Sequence, residues 1–282
     1  MPNKFKITIF FAGCLIFLIL AFVLGRPDQK LHLIICDVGQ GDGIVIITPS
    51  GNQILVDGGP DGSLSACLGK KAGFFDKKVE LLVLTHPQAD HMDGFAGVFD
   101  SYKVENVLQT SADSKSENFL RFKNSLKEEK PKVIEAKIGL KISLGGGAVL
   151  QILWPDTNIV KSARDLNDTS IVARLVFGQF CAYLTGDITK EMELAILSKL
   201  KKCPVLKVAH HGSNTGTSEI FLSAIESELA LISAGEKNRF GHPHKEILER
   251  LEAKKIKVLR TDRNGTIEVV SDGNSYQVGT EK

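Results

Sequence analysis

The stretch THPQADH at residues 85–91 follows directly on the nearly apolar run VELLVL at residues 79–84. A run of this kind is typical of a strand buried on both faces, and open α/β sheets place their sites at the carboxyl ends of such strands. His86, Asp90 and His91 offer imidazole nitrogen and carboxylate oxygen, which suit zinc, manganese or iron. The sequence therefore predicts a metal site at a sheet edge, and a loop with incidental histidines is the alternative.

Three other apolar runs end in the same way. ILVDGG at residues 54–59 turns at two glycines just after Asp57, which can orient a ligand. CAYLTGD at residues 181–187 ends in Asp187, whose two oxygens could bridge two metals, and VLKVAHHGS at residues 205–213 contains His210 and His211. Four of the seven histidines of the chain lie in the segments at 85–91 and 205–213. This recurrence favours a single metal centre over incidental histidines.

The order of these motifs resembles the metallo-β-lactamase superfamily: DGG at 57–59, THxxxDH at 85–91, TGD at 185–187 and HHGS at 210–213. More narrowly, DVGQGD at 37–42, HHGS and GHP at 241–243 resemble the extracellular hydrolase domain of the ComEC competence proteins. The resemblance extends from about residue 31 to about residue 270. It implies an α/β fold, a four-layer αββα sandwich with its metal site along one edge of two facing sheets. It also implies hydrolysis by a hydroxide held between two divalent metal ions, with DNA phosphodiester bonds as the substrate.

The resemblance also implies roles for individual residues. His86 would bind the first metal, Asp90 and His91 the second, Asp187 would bridge them, and His210 would be the late histidine. The residues implied as metal ligands are His86, Gln88, Asp90, His91, Asp187 and His210. Those implied in catalysis are Asp90, His211 and His242. Since only one of two adjacent histidines easily points at the same metal, His211 would contact substrate or line the wall, and His242 would contact phosphate or donate a proton.

Other residues are implied in substrate binding or in support of the ligands. The substrate-binding set is Asn167, Ser170, Ser213 and His242, and the supporting carboxylates are Asp57, Asp37 and Asp42. Two departures from the family pattern bear on the metals. Gln88 stands where most of the superfamily has histidine and the ComEC branch often has aspartate, and the middle histidine is replaced by the polar cluster 167–170. These changes weaken the first metal position and favour manganese or magnesium over zinc at that position. For the centre as a whole we expect two divalent ions, manganese or zinc.

The apolar run at residues 7–24 contains no charge and is preceded by Lys4 and Lys6. It is longer than the apolar core of a signal peptide, roughly 7–15 residues, and no small-x-small cleavage site follows it. The sequence therefore predicts one N-terminal membrane-spanning helix, and a cleaved signal segment is the alternative. The positive flank stays in the cytoplasm, which puts the hydrolase domain outside the membrane. We divide the chain into an anchor or signal segment at 1–25, a linker at 26–30 and the hydrolase domain at 31–282.

The remaining segments predict the order of elements. Residues 33–36, 43–47 and 53–56 form consecutive strands, and residues 117–129, 189–200 and 245–254 form amphipathic helices. The second sheet contains residues 177–185, 204–209 and 229–233, closed by 257–260 and 265–270, and the polar tail from residue 271 is mobile. The five cysteines show no paired spacing, so we expect small buried hydrophobic residues and no disulfide framework.

Charge gives modest support to a nucleic-acid substrate. The chain has 35 basic and 33 acidic residues, and two of the basic residues lie in the N-terminal segment, so the remainder is formally neutral. The basic residues Lys237, Arg239, Arg260 and Arg263 form either a lip for phosphates or ordinary surface. Three functions stay open: a membrane-anchored nuclease or phosphodiesterase acting on DNA, a hydrolase of another small phosphodiester, and a DNA-binding or assembly module with an impaired site. A role in DNA uptake would require a separate channel protein as a partner.

Overall fold

The computed structural model describes residues 27–72 and 76–282. Within these ranges the chain forms two large β-sheets and a short two-stranded one. The strands are β1 (Leu31–Ile35), β2 (Gly43–Ile47), β3 (Gln53–Gly58), β4 (Lys78–Val79), β5 (Leu81–Leu84), β6 (Lys103–Val104), β7 (Asn106–Gln109), β8 (Lys132–Glu135), β9 (Lys141–Gly145), β10 (Ala148–Trp154), β11 (Val172–Phe177), β12 (Phe180–Leu184), β13 (Val205–Lys207), β14 (Leu229–Ile232), β15 (Lys257–Arg260), β16 (Ile267–Ser271) and β17 (Tyr276–Thr280). The helices are α1 (Ser63–Lys71), α2 (Ala89–Met92), α3 (Phe95–Ser101), α4 (Glu117–Glu129), α5 (Thr157–Ser162), α6 (Lys190–Ile196), α7 (Glu219–Ile225), α8 (Lys245–Ala253) and α9 (Thr261–Asn264).

The first sheet has the strand order β17-β16-β1-β2-β3-β5-β7-β8. β1, β2 and β3 form the antiparallel meander that the turn residues between them predict. β3, β5, β7 and β8 are parallel to one another. Because parallel strands end at the same edge of a sheet, Asp57 near the end of β3 and Thr85 after β5 lie side by side.

The second sheet has the order β15-β14-β13-β12-β11-β10-β9. Its strands β12, β13, β14 and β15 are parallel. The segment after β12 carries Asp187, and the segment after β13 carries His210 and His211. These residues therefore also reach one edge, and the two sheets bring their polar loops together there.

Alternating side chains of each strand build the layers. In β5, Leu81 and Val83 pack into the core between the two sheets, whereas Leu82 and Leu84 pack with residues of α1, α3 and α4. The outer face of the second sheet packs in the same way against α6, α7 and α8. The result is a mixed α/β fold in which helices cover the outer faces of two facing sheets, as the motif resemblance implies.

The C-terminal strands differ from the expectation. We expected residues 265–270 to close the second sheet, but β16 pairs antiparallel with β1, with Val269 opposite Leu33. The polar tail is a further strand, β17, paired with β16. The sheet prediction is wrong because a run of alternating residues indicates a strand but does not identify its partner. The tail prediction is wrong because it rested on polarity alone, and the polar segment pairs with β16 at the edge of the sheet. Ile267 and Val269 join the core between the sheets from the first sheet's side.

The cysteine prediction is also wrong. Cys36 is bonded to Cys67 across 31 residues, with 6.2 Å between the two Cα atoms. Cys181 is bonded to Cys203 across 22 residues, with 5.4 Å between the Cα atoms. The first bridge ties the end of β1 to α1, and the second ties β12 to the segment before β13. Since each pair joins different elements, spacing along the chain could not reveal it.

The helix predicted at residues 117–129 is confirmed as α4. The hydroxyl of Ser116 accepts a hydrogen bond from Phe119 N at 3.2 Å and caps its first turn. The helix ends at Glu129, and its C-cap Lys130 is left-handed at φ 52° and directly precedes Pro131. In residues 27–72 and 76–282, no helix has the length and apolarity to cross a membrane. The membrane segment predicted at residues 7–24 lies outside the described residues.

Candidate metal centre

Asp57 organises the first-sheet side of the site. Its carboxylate is buried and accepts three hydrogen bonds: from Thr85 N at 2.8 Å, from Thr85 Oγ1 at 2.7 Å and from His91 Nδ1 at 2.8 Å. Asp57 itself has a left-handed backbone at φ 57°, which turns the chain sharply at the end of β3. Asp57 therefore fixes the loop that starts at Thr85 and the ring of His91 at once.

Three buried histidines share one arrangement. The Thr85 hydroxyl gives its proton to Asp57, so it accepts from His86 Nδ1 at 3.0 Å. His91 donates through Nδ1 to Asp57, and His211 donates through Nδ1 to the carbonyl oxygen of Ser233 at 3.0 Å. In all three rings Nε2 is buried and has no hydrogen-bond partner. Fixing one ring nitrogen so that the other is free is how proteins prepare histidine for a metal.

Asp187 lies at the centre of these rings. Its Oδ2 is 3.3 Å from His91 Nε2 and 3.6 Å from the Nε2 atoms of both His210 and His211. Both of its carboxylate oxygens are buried without a hydrogen-bond partner. Asp90 stands on the open side, with Oδ2 3.5 Å from His211 Nε2.

These unpartnered atoms fit divalent metals. Buried polar atoms are normally hydrogen-bonded, and here several converge on one point. The atoms that could bind a metal lie within 4.8 Å of one another in four overlapping groups: His86, His91 and Asp187; Asp90, His91 and His211; Asp42, Asp57 and His91; and Asp42, Asp187 and His211. A mixture of imidazole nitrogen and carboxylate oxygen suits zinc or manganese.

The charges of the site oppose the effect of burial. Burial alone would raise the pKa of Asp187, but His91 and His211 hold it well below its ordinary value. Burial would likewise lower the pKa of His211, but Asp187 and Asp42 raise it to about 9. His86 is different, because burial and the neighbouring charge of His91 lower its pKa to about 3. Without a metal, therefore, two imidazolium cations, His91 and His211, balance the carboxylates.

Lys207 forms the floor of the site and was not identified from the sequence. Its side chain is fully buried and forms an ion pair with Asp42. Lys207 Nζ also donates to the carbonyl oxygen of Gly186 at 3.3 Å and lies 4.0 Å from Asp187 Oδ1. Burial would raise the pKa of Asp42, but Lys207 beside it lowers that pKa. A single charge inside the apolar run at residues 205–209 was the signal that could have revealed it.

The other residues implied by the motifs surround this cluster. His210 forms a hydrogen bond through Nδ1 with Thr215 Oγ1 at 3.0 Å. Its side chain is 22% exposed, so it lies where the cluster opens to solvent, which we call the mouth of the site. Gln88 donates through Nε2 to Asn167 Oδ1 at 2.9 Å, so these two amides pair with each other. No comparable contact with the cluster is made by Asp37 in the described residues. Its carboxylate lies 3.6 Å from Lys282 Nζ.

Two serines assigned to substrate binding are buried in the loops. Ser170 Oγ accepts from Asp187 N at 3.1 Å and lies 3.3 Å from His86 Nδ1. Ser213 Oγ accepts from the backbone and hydroxyl of Thr215 at 3.4 and 3.1 Å. Both hydroxyls thus hold ligand-bearing loops in place.

His242 stands beside the mouth. Its ring centroid is 5.4 Å from that of His210 and 6.3 Å from that of His211. Burial, followed by the charges of His210 and His211, lowers its pKa to about 4. Its Nδ1 is buried without a hydrogen-bond partner. His242 is therefore neutral at pH 7 and able to form a hydrogen bond with a group bound in the mouth.

Comparisons with known proteins agree with this architecture. A sequence model described as Metallo-beta-lactamase superfamily matches residues 36–236. The chain is similar to ComE operon protein 3 of Bacillus subtilis, with 30% identity over 277 residues that cover 90% of this chain and 35% of that protein. It is also similar to Competence protein ComA of Neisseria gonorrhoeae, with 26% identity over 245 residues that cover 86% and 32%. The predicted resemblance to ComEC-type competence proteins is thus confirmed.

Among solved structures, the chain is similar to the metallo-beta-lactamase fold protein YhfI from Bacillus subtilis. The TM-score is 0.56 at 11% identity, covering 83% of this chain and 96% of that chain. This likeness shows the fold alone. The chain spans about a third of the length of the curated relatives it matches.

Proposed function

The chain belongs to the metallo-beta-lactamase superfamily, and on this premise we propose that it is a metal-dependent phosphodiesterase that cleaves DNA outside the cytoplasm. One observation carries the proposal. The free Nε2 atoms of His86, His91 and His211 converge with the two unpartnered oxygens of Asp187. Burying such a set of unpartnered polar atoms costs free energy unless the set binds cations.

The residues divide naturally between two ions. His86 would hold one, Asp90, His91 and His211 would hold the other, and Asp187, which is grouped with His86 and His91, would be shared between them. Two divalent metals, when bound, supply charge that activates water and stabilises the oxygens around phosphorus. Around them, Asp57 and Ser233 keep the rings of His91 and His211 in place. At the mouth, neutral His242 can donate a hydrogen bond to a phosphate oxygen or to the leaving oxygen.

DNA as the substrate is supported by the relatives, one of which is named as a competence protein. A location outside the cytoplasm is supported by the two disulfides, since such bonds persist in oxidising compartments. We further propose that the apolar run at residues 7–24 anchors the protein in the membrane, with the folded domain on the outer side. A separate channel protein would then be its partner in DNA uptake.

The test is hydrolysis of single- and double-stranded DNA by purified protein that has been stripped of metal and then given manganese, zinc or magnesium. We expect cleavage that depends on an added metal. Asp187→Asn keeps the size of the side chain but removes its charge, so it should abolish cleavage and lower the metal content. His242→Ala should lower turnover while the metal content is retained, since this residue lies outside the donor groups.

Two outcomes would redirect the proposal. If the protein binds metal but cleaves no DNA with any of the three ions, the substrate is another small phosphodiester. If it binds no metal under any condition, the fold serves DNA binding or assembly. Unchanged cleavage by Asp187→Asn would refute the assignment of this cluster as the active site.

A further inference from the structure

Phe240 is an exposed aromatic residue next to the metal centre. Half of its surface, 50%, is open to solvent. Its ring lies nearly parallel to that of His242, with an interplanar angle of 22° and 5.7 Å between centroids. His242 in turn contacts the ring of His210, which faces Asp187. Phe240 is therefore the outermost of a series of rings that leads into the site.

The loop that carries Phe240 is held firmly. The Asn238 side chain closes it by accepting from His242 N at 2.9 Å and donating to the carbonyl oxygen of His242 at 2.7 Å. His244 Nδ1 accepts from Asn214 N at 3.0 Å, so its proton is on Nε2, which donates to the carbonyl oxygen of Phe240 at 3.3 Å. The backbone on both sides of Phe240 is thus fixed, and the ring is presented to solvent in a defined place. Preorganisation of this kind lowers the entropic cost of binding.

Arg239 shows what kind of group the ring can accept. The centre of its guanidinium group lies 5.0 Å from the centroid of the Phe240 ring. A planar cation at this distance is a favourable partner for an aromatic face. A nucleobase is planar as well and stacks on aromatic side chains regardless of its identity. If a base took the place of the Arg239 guanidinium on the face of the ring, that guanidinium would be free to pair with a neighbouring phosphate.

We propose that Phe240 and Arg239 form a stacking subsite for one unpaired base of single-stranded DNA, beside the phosphate that is held at the metal centre. This inference rests on the proposed function, because it names the form of DNA that the same site receives. Within a duplex, both faces of an internal base are covered by its neighbours, so a ring on this loop can stack only on a base that is unstacked or at an end. The subsite therefore favours single strands.

The test measures binding without turnover. The purified, metal-loaded full chain is titrated with a fluorescently labelled thymidine oligonucleotide and with an oligonucleotide of the same length that lacks bases, both made with phosphorothioate linkages that resist cleavage. Both ligands carry the same phosphates, so the difference in affinity reports base stacking alone. We expect the wild-type chain to bind the thymidine oligonucleotide about tenfold more tightly, as one stacked base contributes.

Three variants and one control variant separate the contributions. Phe240→Leu keeps an apolar side chain but removes the aromatic face, so the difference between the two ligands should fall to less than about twofold, while Phe240→Trp should retain it. Arg239→Gln should weaken both ligands and reduce the dependence of affinity on salt by about one phosphate contact. Leu120→Ala is the matched control, because Leu120 is equally exposed at 50% but lies on α4, and it should change nothing.

An unchanged preference for the thymidine oligonucleotide in Phe240→Leu would overturn the subsite, as would a wild-type chain that binds both ligands equally. The proposed nuclease function is judged separately, by cleavage with added metal. A chain that shows the preference but cleaves no DNA keeps the subsite and loses the nuclease function. A chain that cleaves DNA while Phe240→Leu keeps the preference retains the function and loses the subsite.

Discussion

At the scale of single residues, the ion pair between Lys207 and Asp42 supports the whole cluster from below. Both side chains are buried, so removing one partner leaves the other charge without compensation. We expect Lys207→Met to lower the free energy of unfolding by about 3–5 kcal/mol, measured by urea unfolding of the metal-free protein. The double variant Lys207→Met/Asp42→Asn removes both charges and should recover most of this loss. A double variant no more stable than the single one would show that the pair contributes through packing alone.

His211 makes the stability of the metal-free protein depend on pH. Its pKa in the folded chain is about 9, against 6.5 ordinarily, so protonation favours folding. This stabilisation is complete below about pH 6.5 and is lost as the pH rises through 9. We expect unfolding free energy to fall by on the order of 3 kcal/mol across this window. His211→Asn should remove this part of the decline and leave the part that His91 contributes, since the pKa of His91 is raised as well. A decline as large as that of the wild-type chain would contradict the assignment.

The sequence predicted the composition of the site better than its geometry. The motifs identified His86, Asp90, His91 and Asp187 because each follows an apolar run that ends at the same edge. They assigned the late ligand to His210 and placed His211 at the substrate or the wall, but that choice depends on the backbone. Both residues are left-handed, at φ 49° and 54°, and this turn sends His211 inward and leaves His210 at the mouth.

At the scale of elements, the strands that lead into the motifs were predicted, whereas β6 to β11 and β17 were not. Strand partners were not predictable in every case. The meander β1 to β3 is local in sequence, so its turns determine its pairing. β16 instead returns from the far end of the chain to pair with β1. Its alternation of buried and half-buried residues would suit a place in either sheet. Local sequence patterns carry no information about contacts between residues that are distant in the chain.

The disulfide between Cys36 and Cys67 acts at this same scale, because it ties β1 to α1. A closed loop of this length, 31 residues apart in sequence, should stabilise the fold by about 3–4 kcal/mol. We expect Cys36→Ala/Cys67→Ala to lose this amount in urea unfolding under oxidising conditions. With a reductant present, the variant and the wild-type chain should become similar in stability. A difference that persists in the reductant would mean that the cysteines contribute through packing and not through their bond.

At the scale of the whole molecule, the site joins the two halves of the fold. His86 and His91 follow β5 of the first sheet, whereas Asp187 and His211 follow β12 and β13 of the second. The formal charge of the chain is only +2, so attraction for DNA has to come from local groups and from any bound cations rather than from the molecule as a whole.

Ions held by ligands from both sheets would act as cross-links between them, so metal binding should stabilise the entire fold and not only the loops. An ion present at a hundred times its dissociation constant adds about 2.7 kcal/mol, which raises the melting temperature of a domain of this size by roughly 5–10 °C. Calorimetry of the chelator-treated and metal-loaded protein measures this shift. His242→Ala should keep the rise in melting temperature. Asp187→Asn removes the charge of the carboxylate that both ions would share, so it should lose most of the rise. An equal shift in Asp187→Asn would place the stabilising metal elsewhere in the protein.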